Sequence, residues 1–203
     1  MTERGRPRSF DRTNALRKAM EVFWAQGYEG TSMTDLIAAM GVNSPSIYAA
    51  FGSKESLFRE VVALYRTTEG GRIWSAVAAA PSARMAVETM LRVSAEEFTR
   101  PGKPHGCLIV LGAIHADDGN KAVHRELQVH RTENVTILLQ RFKRGVAEGE
   151  LPNGPDWRAI ATFYITVQQG MSIQARDGAS RKALLAVVDC AMAAWDGLIS
   201  SHR

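Results

Sequence analysis

The sequence predicts an all-α protein: an N-terminal three-helix helix-turn-helix domain, then a larger helical domain for ligand binding and dimerisation, about nine helices in total. Three observations lead there. Apolar residues recur at spacings of three and four along most of the chain. No segment alternates apolar and polar residues at period two for long enough to make a strand. The gaps between periodic stretches hold the Gly, Pro, Ser and Asp that cap and end helices.

The first helix follows from Leu16, Ala19, Met20, Phe23 and Trp24, with Asp11 to cap it and Gly27 to end it. A second starts at Ser32 or Thr34, buries Leu36, Ile37 and Met40, and stops at Gly41. In Val42-Asn43-Ser44-Pro45, Ser44 suits an N-cap and Pro45 the first helical position, where a missing N–H costs nothing, so a third helix runs from about Pro45 to Phe51. Gly52-Ser53 breaks the chain again, and Leu57, Phe58, Val61, Val62 and Tyr65 stripe a fourth helix. Gly70-Gly71 lies within that fourth helical region as a bend and marks the joint between domains. Beyond it, Pro81-Ser82, Pro101 to Gly106, Asp117 to Gly119, Gly149 to Pro155 and Asp177 to Ser180 separate further helices. The domains are thus a basic arm at 1–8, a helix-turn-helix domain at 9–69 with its motif at about 32–51, and a second domain at 70–203.

Composition narrows the function classes. With 203 residues, 45% hydrophobic and 23% charged, the chain is of ordinary globular type. No run approaches the roughly 18 apolar residues of a membrane helix, and the start has no signal-peptide pattern, so the expected place is the cytoplasm. The net charge of +4 tolerates a polyanion. Arg4, Arg6 and Arg8 concentrate positive charge at the N-terminus against Glu3 alone. Two cysteines, Cys107 and Cys190, are too few for a disulfide scaffold. No nucleophile elbow, phosphate loop or metal motif occurs, and His124 and His130, six apart, face different sides of a helix. An enzyme is therefore not expected, nor a cofactor or metal.

Two short helices joined by a tight glycine-containing turn make a helix-turn-helix. Ile47 and Phe51 anchor its second helix, leaving Asn43, Ser44, Ser46, Tyr48 and Ala49 for a groove, while Lys54 can meet a phosphate. A small helical domain with a polar face is the alternative. The runs Phe23-Trp24-Ala25-Gln26-Gly27-Tyr28-Glu29-Gly30-Thr31-Ser32, Leu36-Ile37-Ala38-Ala39-Met40-Gly41-Val42 and Ser46-Ile47-Tyr48-Ala49-Ala50-Phe51-Gly52-Ser53-Lys54-Glu55-Ser56-Leu57-Phe58 resemble the N-terminal signature of the tetracycline-repressor (TetR) family. The resemblance covers roughly residues 10 to 66 and implies a transcriptional regulator, most often a ligand-released repressor that binds a palindromic operator as a homodimer. It implies DNA contacts from Asn43, Ser44, Pro45, Ser46, Tyr48 and Lys54, and Thr31, Thr34 and Ala49 complete the candidate DNA face. Ala49 and Ala50 depart from the larger residues that many members carry. Arg4-Gly5-Arg6-Pro7-Arg8 is similar to a minor-groove arm.

For the second domain the resemblance implies architecture and not ligand. Its last two helices, 156 to 175 and 180 to 200, would form a four-helix interface with a partner copy through Phe163, Val167, Met171, Leu184, Val188, Met192 and Trp195. Candidates for a pocket holding a small inducer are Trp74, Met90, Phe98, Cys107, Phe142, Phe163, Tyr164 and Gln168. Cys107 falls in the first turn of a helix after a break, where the dipole, Lys103 and His105 would lower its pKa and suit it to electrophiles or oxidants; a small buried thiol is the other reading, and Cys190 reads as packing. An architectural DNA-binding protein without ligand response is a further alternative.

Overall fold

The computed structural model describes residues 11–114 and 119–200; the arm at 1–8, with Arg4, Arg6 and Arg8, lies outside them. Among the described residues there are eleven helical segments and no strand. They are α1 (Arg12–Gly30), α2 (Met33–Met40), α3 (Ser44–Phe51), α4 (Lys54–Thr67), α5 (Gly71–Ala79), α6 (Ala83–Phe98), α7 (Leu108–Leu111), α8 (Lys121–Ala147), α9 (Trp157–Arg176), α10 (Arg181–Ala193) and α11 (Trp195–Ser200). Since α7 is a single turn and α11 continues α10 past Ala194, nine longer helices carry the fold, which is all-α as the sequence predicts.

Local chemistry sets the helix starts. Asp11 accepts from the Asn14 amide and caps α1, and Ser32 with Asp35 forms a capping box on α2. Gly41 closes α2 in the left-handed region, at φ +69°. One cap differs from expectation. Asn43, not Ser44, caps α3 by accepting from the Ser46 amide, so Pro45 sits one position further in, still among the first amides that need no helical partner.

Two apolar cores result. The first gathers Ala19, Phe23, Trp24, Leu36, Ile47, Phe51, Leu57, Phe58 and Val61, with Phe23 edge-on to Phe58 at 5.0 Å between ring centroids. The second joins α5, α6, α9 and α10 with the C-terminal half of α8. The boundary at residue 70 is not a boundary between cores. Leu108 and Ile109 of α7, and Val123 and Leu127 of α8, belong to the first core although they come late in the chain.

Polar bonds lock this junction. The Trp24 indole donates to the Gly106 carbonyl at 3.0 Å, and the Tyr28 amide to the Gly112 carbonyl at 2.7 Å. Gly27 makes the second contact possible: it turns the chain at φ +74°, and a Cβ there would stand 3.3 Å from the Gly112 oxygen. From the last turn of α9, Arg176 donates to the carbonyls of Ala25 (2.6 Å), Trp24 (2.7 Å) and His105 (2.9 Å). Gly70 and Gly71 lie differently from the expected bend. The helix ends at Thr67 and the glycines follow that break, where a Cβ on Gly70 would meet the Tyr65 ring at 2.7 Å.

By length and composition the segment Arg181–Ser200, of mean hydropathy 1.6, could cross a membrane, which the sequence reading did not anticipate. Only 28% of it is buried within the chain, so much of its apolar surface has no cover in a single protomer. Arg176→Ala should cost about 2 kcal/mol of stability, since it removes charge-assisted bonds to three carbonyls; denaturant unfolding with an unchanged slope would show it.

Candidate nucleic-acid interface and ligand cavity

Helix α3 is held from behind and open in front. Ile47 and Phe51 are buried against α2 and α4, while the Arg12 guanidinium lies 4.5 Å from the centre of the Phe51 ring and donates to the Ala50 carbonyl at 3.3 Å and to Glu60 at 2.7 Å. These contacts fix the helix axis. On its other side Pro45 and Ala49 are exposed, Ser44 and Ser46 half-buried, and Tyr48 keeps 49% of its surface open. A short helix with small polar groups and one projecting phenol is a shape that enters a major groove.

Thr34 is exposed at the start of α2. Thr31 is not: it is 1% exposed and its hydroxyl donates to the Gly27 carbonyl at 2.6 Å. The sequence-based assignment of Thr31 to the DNA face is therefore corrected, because its hydroxyl is spent on ending α1. Asn43 likewise uses its side-chain oxygen on the α3 cap. Lys54, half-buried at the start of α4, holds its ammonium 4.3 Å from the centre of the Tyr28 ring. Burial lowers its pKa, against the opposing pull of Glu29 and Asp35.

Behind the junction lies a partly open cavity of about 150 Å³. Tyr65 and Arg66 of α4, Trp74 of α5, Cys107 and Ile109 around α7, Asn134 and Ile137 of α8, and Gln168 of α9 contribute to its wall, with His130 at its edge. Of the pocket candidates, Trp74, Cys107 and Gln168 reach it. Met90, Phe98, Phe142 and Tyr164 do not, being fully buried in the second core, and Phe163 is 39% exposed on the outside. Large apolar side chains at helical spacing were consumed by packing, as is their usual fate. The residues missed carry no common sequence signal; Tyr65 and Ile109 look like core because one side of each is core.

Cys107 differs from expectation in both placement and acidity. It is the N-cap of the four-residue α7 and not a first-turn residue, and its amide donates to the Ser172 hydroxyl at 2.8 Å. Burial pushes its thiol pKa up, outweighing the Tyr65 hydroxyl, the Val110 and Ile109 amides and Arg131, all of which favour the thiolate. Lys103 is engaged with Glu21 and Glu69.

Two family models match the chain. "Bacterial regulatory proteins, tetR family" covers residues 15–61, and "Tetracyclin repressor-like, C-terminal domain" covers residues 84–194, more than half of the sequence. The chain belongs to the TetR family. Among curated TetR-type relatives, the transcriptional repressor ComR of Escherichia coli K12 is 33% identical over 97% of this chain and 94% of its own. The repressor BdcR of the same organism is 29% identical over 95% and 90%. Among solved structures, a cysteine-substituted variant of the TetR regulator CifR, in complex with 26-base-pair operator DNA, superposes with a TM-score of 0.90 at 46% identity, covering 94% of this chain and all of that one.

In this TetR chain the residues expected to meet a partner copy are mostly internal. Met171, Leu184, Val188, Met192 and Trp195 are buried in the second core, and Val167 is half-buried. Their stripe faces α6 and α8 because the largest apolar residues gain most from the protomer's own interior. What remains outside on α9 and α10 is Phe163, Ile173, Val187 and Cys190.

A thiol whose pKa is raised carries little thiolate at neutral pH and gains it only as pH rises towards the folded pKa. Iodoacetamide at pH 7.5 should therefore modify Cys107 far more slowly in the folded protein than in urea, and labelling of the folded protein should accelerate steadily between pH 7.5 and 9.5. Mass mapping of the alkylated peptides reads both rates.

Proposed function

We propose that this chain is a repressor that binds a short palindromic operator as a homodimer and lets go when a small molecule fills the cavity behind α4. The observation that carries the reading is continuity. Tyr65 and Arg66 wall the cavity from α4, and the same helix begins at Lys54 beside the recognition helix. A ligand that displaces α4 therefore moves α3 with it, and two recognition helices can read successive half-sites only at a set spacing. The operator-bound CifR variant and the repressors ComR and BdcR support DNA binding of this kind. The cavity beside α4 favours this reading over a purely architectural DNA-binding role, and a regulator of this sort works in the cytoplasm without catalysis or cofactor.

The proposed DNA contacts are Thr34, Ser44, Pro45, Ser46, Tyr48, Ala49 and Lys54, with Arg4, Arg6 and Arg8 as a minor-groove arm. The proposed dimer contact is the outer face of α9 and α10, around Phe163, Ile173 and Val187. Half-sites about one helical turn apart follow from two-fold symmetry.

A second reading has its own support. Because the Cys107 thiol borders the cavity beside the Tyr65 hydroxyl, an electrophile or oxidant that enters could react there and hold the junction open. Cys107→Ser separates the two: it abolishes the response to thiol-reactive compounds and spares the response to a reversible ligand.

Tyr48→Ala should weaken operator binding about tenfold or more, with an unchanged circular dichroism spectrum because the side chain is exposed. Lys54→Ala should lower the salt slope of binding by about one. If both variants footprint like the parent, α3 is not the recognition helix. Val187→Asp, which puts a charge on the exposed apolar face of α10, should shift the sedimentation coefficient from dimer to monomer and with it abolish binding to the two-half-site operator.

A further inference from the structure

The cavity has a definite chemical character. An engineered apolar cavity of about 150 Å³ in another protein takes up benzene, and the volume here, about 150 Å³, is the same. Trp74, Ile73, Ile109 and Ile137 supply apolar walls suited to one ring. The charge that reaches it is already matched: the Arg66 guanidinium pairs with Glu133 at 2.9 Å, and the same carboxylate oxygen bonds His130 at 2.9 Å. An ionised ligand would find no unpaired counter-charge on the lining.

The polar groups further in carry no formal charge. Burial pushes up the pKa of both the Tyr65 hydroxyl and the neighbouring Cys107 thiol. Of the two amides on the cavity wall, Gln168 is more deeply buried than Asn134. It is 4% exposed, and its amide nitrogen donates to the Ser94 hydroxyl at 3.1 Å. Its side-chain oxygen has no hydrogen-bond partner among the described residues. A buried carbonyl left unpaired at a cavity wall is a site for a donor.

We propose that the cavity takes an uncharged molecule the size of a single ring that carries one hydrogen-bond donor, such as a hydroxyl, with the ring against Trp74 and the donor on the Gln168 oxygen. The inference rests on the cavity being the effector site, and binding and release are read separately so that either can fail alone.

The test is calorimetric titration of the full-length protein with four probes of one shape: benzyl alcohol, toluene, benzaldehyde and benzoate. Benzyl alcohol should bind at least tenfold more tightly than toluene and benzaldehyde, and benzoate should not bind. Gln168→Leu should erase the preference, leaving toluene equal to or tighter than benzyl alcohol. Ile137→Trp, at a position 37% exposed, should fill the cavity and abolish binding of every probe while the fold survives. Tightest binding of benzoate, equal binding of benzaldehyde, no binding of any probe to the parent, or an unchanged preference in Gln168→Leu would each overturn the proposal; if Gln168→Leu does not fold, binding that survives in Ile137→Trp does so. Operator release is followed in parallel by fluorescence anisotropy. Binding without release would overturn the cavity's role as effector site and leave its ligand chemistry standing.

Discussion

The grip on the end of α1 organises this molecule. The last carbonyls of a helix carry its negative pole and lack helical partners. Those of Trp24 and Ala25 are met by the Arg176 guanidinium arriving from a helix about 150 residues further along the chain. Beside it, Trp24 and Tyr28 donate across to Gly106 and Gly112 on either side of α7. The helix that braces the DNA-facing domain is thereby fastened to the second domain at several points, and the two can move only as coupled bodies.

That coupling runs past α7, a single turn that belongs to two neighbourhoods. Leu108 and Ile109 pack into the first core, whereas Cys107 touches both. One turn of helix has little internal stiffness and is positioned by its neighbours. Cys107 and Ile109 line the cavity while α7 packs on α1 and α4, so one turn of helix separates the cavity from both. Packed interfaces of this kind switch between discrete arrangements instead of deforming smoothly, so a modest displacement can become a change in domain angle.

The helices were legible because capping and periodicity are local. Asp11, Ser32, Gly41 and Ser53 do where they stand what their chemistry suggests. The one-residue shift at α3 arose because Asn43 and Ser44 are both good caps, and only the backbone decides between them. The stripe of Met171, Leu184, Val188 and Trp195 was visible as apolar, but burial inside one chain and burial between two make the same demand on a sequence. The cavity was least legible. Empty volume has no residue of its own, and large side chains such as Phe142 advertise a pocket and a core alike. Arg176 was invisible as a clamp, since a basic residue in a last helical turn is an ordinary thing until its distant carbonyls are known.

The shared walls also bear on how such a protein could diversify. Tyr65 and Ile109 face the cavity on one side and the first core on the other, so a change made there to suit a new ligand would be tested at once against the stability of the DNA-facing domain. Trp74, Asn134 and Ile137 are partly exposed and lie outside that core. Change in the cavity lining therefore has an easy route through α5 and α8 and a steep one through α4 and α7. Lineages sharing this architecture would be expected to vary along the first wall while the second stays nearly still.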